Sequence, residues 1–379
     1  MQNPNKNSRK MNTAVVIICA TLLMTTMMVN LTVIAFNDDV LVPSDPAKLD
    51  AWFRESVMPF SGGSTRSNID QALIQAESNR KIIRVRKDGS GDFTTVSAAI
   101  NSIPVGNTRR IIVWIGGGKY EEKLKIERGK PFVTFYGSPN NMPTLVYDGT
   151  AAKYGTVDSA TLIVESDYFI AANIRLSNSA PRPDGKREGA QAAALRISGD
   201  KAAFYNTHIS GFQDTVCDDT GRHFFKDCYI EGTVDFIFGN AKSIYLNTEL
   251  HVISGDRMAV ITAHARKSDK EETGYVFLHC KVTGNGNIAL LGRAWFPYSK
   301  VIYAYTYMTD AVNPKGWSNF PSQDAKTVYY GEYMCKGPGS DQRTRVGYMK
   351  RLGFSEASQF LKLGFIEGSK WLLPPPVLH

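Results

Sequence analysis

A column of mostly short polar residues recurs through the middle of this chain: Asn173, Asn206, Asp227, Asn247 and His279, spaced 33, 21, 20 and 32 residues apart. Three residues earlier stand Ile170, Ala203, Phe224, Ile244 and Val276, all apolar. One residue later come Ile174, Thr207, Cys228, Thr248 and Cys280, and three later Leu176, Ile209, Ile230, Leu250 and Val282. Between these last two sets lie the polar or amphipathic Arg175, His208, Tyr229, Glu249 and Lys281. Such period-two alternation predicts a strand with one buried face in each unit. A recurrence near 20 residues that tolerates insertions points to a solenoid of stacked strands, because one coil cannot bury its face alone. A β-sandwich would turn every 8–12 residues or so, and the longer repeat argues against it. A chain of 379 residues could hold two or three domains. The repeat instead predicts one all-β parallel β-helix from about residue 82 to 340, with short helices at its ends. The clearest helical stretch near its start is 95–102, after the turn DGSGD.

Ahead of the solenoid, Lys6, Arg9 and Lys10 precede an uncharged stretch from Met11 to Asn37. Basic residues before an apolar run form a secretory signal pattern, with a cleavage point expected after Ala35. An uncleaved anchor is the alternative, since the run is long enough to span a bilayer. Residues 36–80 read as an N-terminal extension without a clear period, and 81–379 as the solenoid domain. The composition, 43% hydrophobic and 21% charged, is that of a folded protein and excludes a disordered or multi-pass membrane chain. The net charge of +8 favours an anionic partner. The basic residues are scattered, with no concentrated basic helix, which argues against nucleic acid. Outside the leader remain Cys217, Cys228, Cys280 and Cys335, with no CxxC pair and so no zinc or thioredoxin signature. Cys228 and Cys280 read as small buried fillers.

Asp214 lies eight residues after Asn206, and Asp235 eight after Asp227; Gly211 and Gly232 share an offset of five. Stacked coils are about 4.8 Å apart, so the two carboxyls should be neighbours. Two carboxyls so close do not both ionise cheaply; one becomes an acid beside a carboxylate base or nucleophile. The bland alternative is that Asp is common at strand ends. Gln213, next to Asp214, could donate its amide to an oxyanion, and Arg293 in LGRAW could clamp a carboxylate, although spacing alone does not bring Arg293 there.

The segments GGGKYEE (116–122), QAAALRISGD (191–200), GFQDTV (211–216), GTVDFIFGN (232–240), LGRAW (291–295) and YYGEY (329–333) resemble those of plant pectin methylesterases. The resemblance runs from about 82 to 372 and is strongest to pollen-type enzymes that lack the inhibitor-like pro-region. It implies a right-handed parallel β-helix and hydrolysis of the methyl esters of homogalacturonan, in the cell wall of a plant, with no cofactor or metal. It implies Asp235 as nucleophile, Asp214 as general acid and base, Gln191 and Gln213 as oxyanion-hole amides, and Arg293 as the partner of the nucleophile. It also implies that Trp295 and Trp317 wall the sugar groove and that Phe238 is a further contact. Expected partners are pectin and a proteinaceous pectin methylesterase inhibitor, with a secreted, monomeric protein free of the membrane after cleavage.

Several positions depart from the family pattern: Cys217 for an aromatic residue, Val157 for Phe, His264 for Gln, Ala294 for Pro and Thr248 for Cys. The last removes the familiar partner of Cys280 and leaves a Cys217–Cys228 disulfide as an alternative. His223 and His264 are assigned no role. Gly116, Gly117 and Gly118 lack the Lys-Ser/Thr that would complete a phosphate loop. A polygalacturonase would be expected to carry GHG and RIK, and neither occurs. A calcium-dependent lyase would need an acidic cluster that does not stand out. A non-catalytic wall-binding β-helix is disfavoured by the full set of two Asp, two Gln and one Arg.

Overall fold

Runs of two to six residues, many rich in β-branched and aromatic side chains, form 27 strands in the computed structural model, which describes residues 38–57, 68–255, 257–319 and 325–378. Every ladder between strands is parallel. The strands stack into three sheets: eleven strands from Lys81–Val85 to Lys350–Arg351, eight from Leu124–Ile126 to Trp317–Ser318, and eight from Gly118–Glu121 to Tyr307–Met308, here the first, second and third sheets. One coil visits all three. Ala202–Tyr205 lies in the first sheet, His208–Ser210 in the third and Val216–Asp218 in the second; Arg222–Lys226 then opens the next coil. The molecule is a right-handed parallel β-helix.

The polar column proves to be a bend rather than the middle of a strand. Asn173, Asn206, Asp227, Asn247 and His279 have φ of 58, 44, 56, 50 and 52°, and turn the chain from the first sheet into the third. Asn and Asp enter this left-handed region more readily than most residues. Their side chains also pair between coils: the Asn206 amide donates to Asn173 Oδ1 at 2.9 Å, and that of Asn247 to Asp227 Oδ1 at 2.6 Å.

The bend shifts the alternation. Ile170, Ala203, Phe224, Ile244 and Val276 lie on the outer face of the first sheet, and the residues after them fill the interior. There Phe204, Phe225, Tyr245, Phe277 and Tyr303 stack at successive ring-centroid distances of 4.6, 4.4, 4.6 and 4.5 Å. The outer face is covered in turn by the terminal segments. Phe53, from helix Leu49–Ser56, stacks on Phe224 at 5.9 Å, and the Tyr205 hydroxyl donates to the Leu373 carbonyl. Helix Val96–Asn101, capped by Thr95, plugs the N-terminal end of the core, as its sequence predicts.

All four cysteines among the described residues are free. Cys228 and Cys280 point inward as fillers, donating to main-chain carbonyls, whereas Cys217 lies on the outer face of the second sheet against Phe238 and Ala263. A wall of the helix separates Cys217 from Cys228, so the alternative disulfide is not formed. The N-terminal apolar run lies outside the described residues. Within them, no helix is long and apolar enough to cross a membrane.

Candidate active site

Each coil must turn sharply from the third sheet into the second, and two successive turns, 211–215 and 233–236, are made by glycine and aspartate. At Gly232 a Cβ would lie 2.3 Å from Phe236 Cβ and 2.7 Å from the Phe212 carbonyl oxygen; at Gly211 it would lie 2.9 Å from Thr215 Oγ1. Only glycine fits turns this tight. Asp214 and Asp235 follow with φ of 66 and 52°, a conformation that Asp tolerates. The Asp214 N–H donates to the Val234 carbonyl at 3.0 Å, and Val216 pairs with Ile237. The shared register places the two aspartates on adjacent coils, about 4.8 Å apart along the axis.

Their environments differ. Asp235, 4% exposed, accepts a bidentate pair from Arg293: Nε to Oδ1 at 2.7 Å, and Nη2 to Oδ2. Arg293 stands two coils further on, in strand Ala289–Ala294; the coil between contributes only Ala263 in the same outward column, so the guanidinium can cross it. Asp214 is 6% exposed and accepts no ion pair among the described residues. Burial pushes its carboxyl well above the ordinary range, and the charge of Asp235 adds to the effect; Arg293 opposes it only in part. The result is a carboxyl pushed towards its protonated form beside one held by arginine.

Gln191 lies one coil before, where the Ala192 N–H donates to the Gln213 carbonyl at 3.2 Å. Gln191 Oε1 is enclosed without a hydrogen-bond partner among the described residues. The two glutamines thus lie on neighbouring coils, with Gln213 directly before Asp214 in the chain. Trp295, 38% exposed, offers an aromatic face and packs against Phe238 at 5.6 Å and Phe296 at 6.4 Å.

Two expectations need correction. Trp317 is no groove wall: it is 1% exposed, stacks on Tyr330 at 4.4 Å, and donates Nε1–H to Glu332 at 2.9 Å. Its strand lies beside Gly292, which leaves room for the indole inside the last coils. Phe238 is also 1% exposed, so it backs Trp295 instead of offering its own ring. Sequence reasoning missed Phe296, adjacent to Trp295, and Arg182, which crosses over Phe212 to donate to the Ser254 carbonyl at 2.9 Å. Arg182 belongs to a long loop without a period, although the adjacent Trp-Phe pair was a usable signal.

The two histidines given no role are both fully buried. Burial pushes His264 down to about 3. Burial also works to lower His223, but its pairing with Asp218 and its hydrogen bond to Gly199 raise it overall. No group of three His, Cys, Asp or Glu among the described residues is placed to hold a metal.

A family model described as Pectinesterase matches residues 82–369. The chain is 56% identical over 347 residues to Pectinesterase 1 of Olea europaea, covering 91% of this chain and 94% of that protein. A pectinesterase of Parthenium hysterophorus has the same identity and coverage. Among solved structures, the pectin methylesterase from carrot superposes with a TM-score of 0.72 at 30% identity, over 78% of this chain and 97% of that one. The enzyme from Aspergillus niger gives 0.66 at 27%, over 76% and 94%.

Proposed function

The chain belongs to the pectinesterase family, and from that premise we propose that Asp235 is the nucleophile and Asp214 the general acid and base of its ester hydrolysis. The protein demethylates methyl-esterified pectin, releasing methanol and leaving free carboxylates on the polymer. The observation that carries the assignment of roles is the unequal pair: Asp235 clamped by Arg293, and Asp214, buried on the preceding coil, with its carboxyl pushed towards the protonated form.

An oxygen of the Asp235 carboxylate attacks the C6 carbonyl of a galacturonate methyl ester. The amides of Gln191 and Gln213 donate to the developing oxyanion, each contributing about 3 kcal/mol if typical of such donors. As the tetrahedral adduct collapses, the C–O bond to the methoxy group breaks and Asp214 delivers its proton to the departing oxygen, giving methanol and an acyl-Asp235 anhydride. Water then adds to the sugar carbonyl while the Asp214 carboxylate takes its proton. Collapse restores the Asp235 carboxylate and leaves a galacturonic acid on the polymer, with Asp214 already reprotonated by the water. Trp295 offers a face for the sugar rings beside the reacting ester.

The proposal extends to a leader over residues 1–35, an extension over 36–80 and a catalytic domain over 81–379, with the protein secreted to the cell wall as a monomer and open to a proteinaceous inhibitor. Methanol release from methylated pectin tests the site. It should vanish in Asp235→Ala and fall severely in Asp214→Ala, while normal release by both would reject the assignment. Unsaturated uronides without methanol would indicate a lyase instead.

A further inference from the structure

One register position on the outer face of the first sheet can be followed from coil to coil, from Ile82 to Ile302. It holds Ile, Ala, Phe or Val in every coil but one, as a face covered by the terminal segments requires. The exception is Thr134, which stands between Ile112 and Ile170. Thr134 is 1% exposed, and its hydroxyl has no hydrogen-bond partner among the described residues. A hydroxyl buried without a partner is costly unless something else reaches it.

Over Thr134 the cover is incomplete. Helices Leu49–Ser56 and Gln71–Ser78 and the tail 373–377 close on the sheet around a cavity of about 500 Å³. That lies within the range of sites for small organic ligands, roughly 300–1,000 Å³. Its floor is Ile112, Thr134 and Ile170, and Phe53, Val57 and the tail supply apolar walls. The remaining wall carries Arg54, Arg80 and Arg110, three guanidinium groups, against the single carboxylate of Glu77. Both oxygens of that carboxylate are engaged: Oε1 accepts from Arg110 Nε at 2.7 Å and Oε2 from Arg80 Nε at 2.8 Å. The guanidinium groups are not used up. Arg110, 2% exposed, donates Nη1 to the carbonyls of Tyr168 at 2.5 Å and Val133 at 3.5 Å, but its Nη2 has no partner among the described residues. The same holds for both Nη atoms of Arg80 and for the whole Arg54 guanidinium. Burial lowers the pKa of Arg110 from its ordinary value and Glu77 opposes this only in part, so the site is short of negative charge.

We infer that this cavity binds a small amphipathic carboxylate, an acid group on an apolar body, at a place separate from the reacting carboxyls. Arg110 and Arg80, brought together by Glu77, hold the acid through charge-assisted hydrogen bonds, with the Thr134 hydroxyl as a further partner on the floor. The apolar body lies against Ile112, Ile170 and the three prolines of the tail. A uronide, polar on every side, would leave this apolar surface uncovered and its own hydroxyls unpaired. Sheet, helices and tail all contribute to the cavity, so the ligand recognises the folded state and clamps both terminal segments onto the coils. The reacting pair stands on the outer side of the second sheet, so occupancy of this cavity leaves ester hydrolysis untouched.

Calorimetric titration of the purified protein with 3-phenylpropanoate, and with 3-phenylpropanamide as its uncharged counterpart, tests the site. The acid should bind saturably at a single site per chain, and the amide roughly tenfold more weakly, the size of one charge-assisted hydrogen bond. Arg80→Gln should weaken binding of the acid roughly five- to tenfold and leave that of the amide unchanged. Thr134→Val, which completes the apolar column, should weaken the acid severalfold while keeping or raising the melting temperature of the free protein. Excess acid should raise the melting temperature of the unsubstituted protein, and methanol release from methylated pectin should not fall. Absence of saturable binding would overturn the site, as would equal affinity for acid and amide or an affinity that neither substitution changes. Inhibition of methanol release in step with binding would overturn it too, because the acid would then occupy the reacting pair's groove instead.

Discussion

At Asp214 the protein encloses a carboxyl without giving it an ion-pair partner among the described residues, and that choice has a thermodynamic signature. Its pKa in the folded state lies above the unfolded value, so between the two values the folded state binds more protons. Stability therefore falls as pH rises through this window and the deficit persists at neutral pH. Asp214→Asn removes the deficit. It should lower methanol release by roughly 10²- to 10⁴-fold, the usual worth of a general acid–base. At pH 7 it should raise stability by about 1 kcal/mol, as replacing strained catalytic groups commonly does. Thermal melts at pH 7 and at a pH below the ordinary carboxylate range check the sign, because the gain should disappear once Asp214 is protonated in both states. The two tryptophans separate in the same manner. Trp317→Ala empties a packed site and should cost about 3–5 kcal/mol in denaturant unfolding. Trp295→Ala should leave the unfolding midpoint nearly unchanged and raise KM for pectin about tenfold, in line with the loss of one aromatic stacking face.

Among the elements, the turns between the third and second sheets decide activity, since they alone aim both carboxyls at one ester. Gly232→Ala would drive a methyl group into Phe236 and the Phe212 carbonyl, so this turn must open. The expected cost is about 1–3 kcal/mol in stability, with a loss of activity out of proportion to it because Asp235 moves. Activity measured well below the melting temperature separates the two effects. These turns were legible in the sequence because they obey the repeat: Gly211 with Gly232 and Asp214 with Asp235 share an offset, and the offset survives as register. What the polar column meant was not legible. Alternation tells which residues share a face only while the backbone stays extended, and a left-handed residue at 173, 206, 227, 247 and 279 resets it. The same limitation hid the burial of Trp317, whose aromatic type suits a groove and a core equally. Arg293 lay beyond spacing arguments because the route from Asp235 crosses a coil lengthened by insertion, and only the resemblance to a family assigned it.

Over the whole molecule, the coils are held by ladders and interior stacking without covalent links among the described residues. From Asn206 onward, the residue after each bend forms an inward column of Thr207, Cys228, Thr248, Cys280, Thr306 and Cys335, in which threonine and cysteine alternate. Each hydroxyl or thiol donates to the carbonyl two residues back, as from Thr248 to Leu246 at 3.3 Å and from Cys280 to Leu278 at 3.6 Å. Thiols on alternate coils are about 9.6 Å apart along the axis, beyond the reach of a disulfide, whose Cα atoms lie about 4.4–6.8 Å apart. Burial also pushes Cys228, Cys280 and Cys335 up to about 12, so none is a reactive thiolate at neutral pH. A reductant should therefore leave the melting temperature unchanged. The native protein should resist thiol reagents, and denaturation without reductant should release four titratable thiols from a chain whose leader has been removed. A count of two or none, or a melting point lowered by reductant, would mean that the coils are cross-linked and that the column is not spaced as these ladders place it.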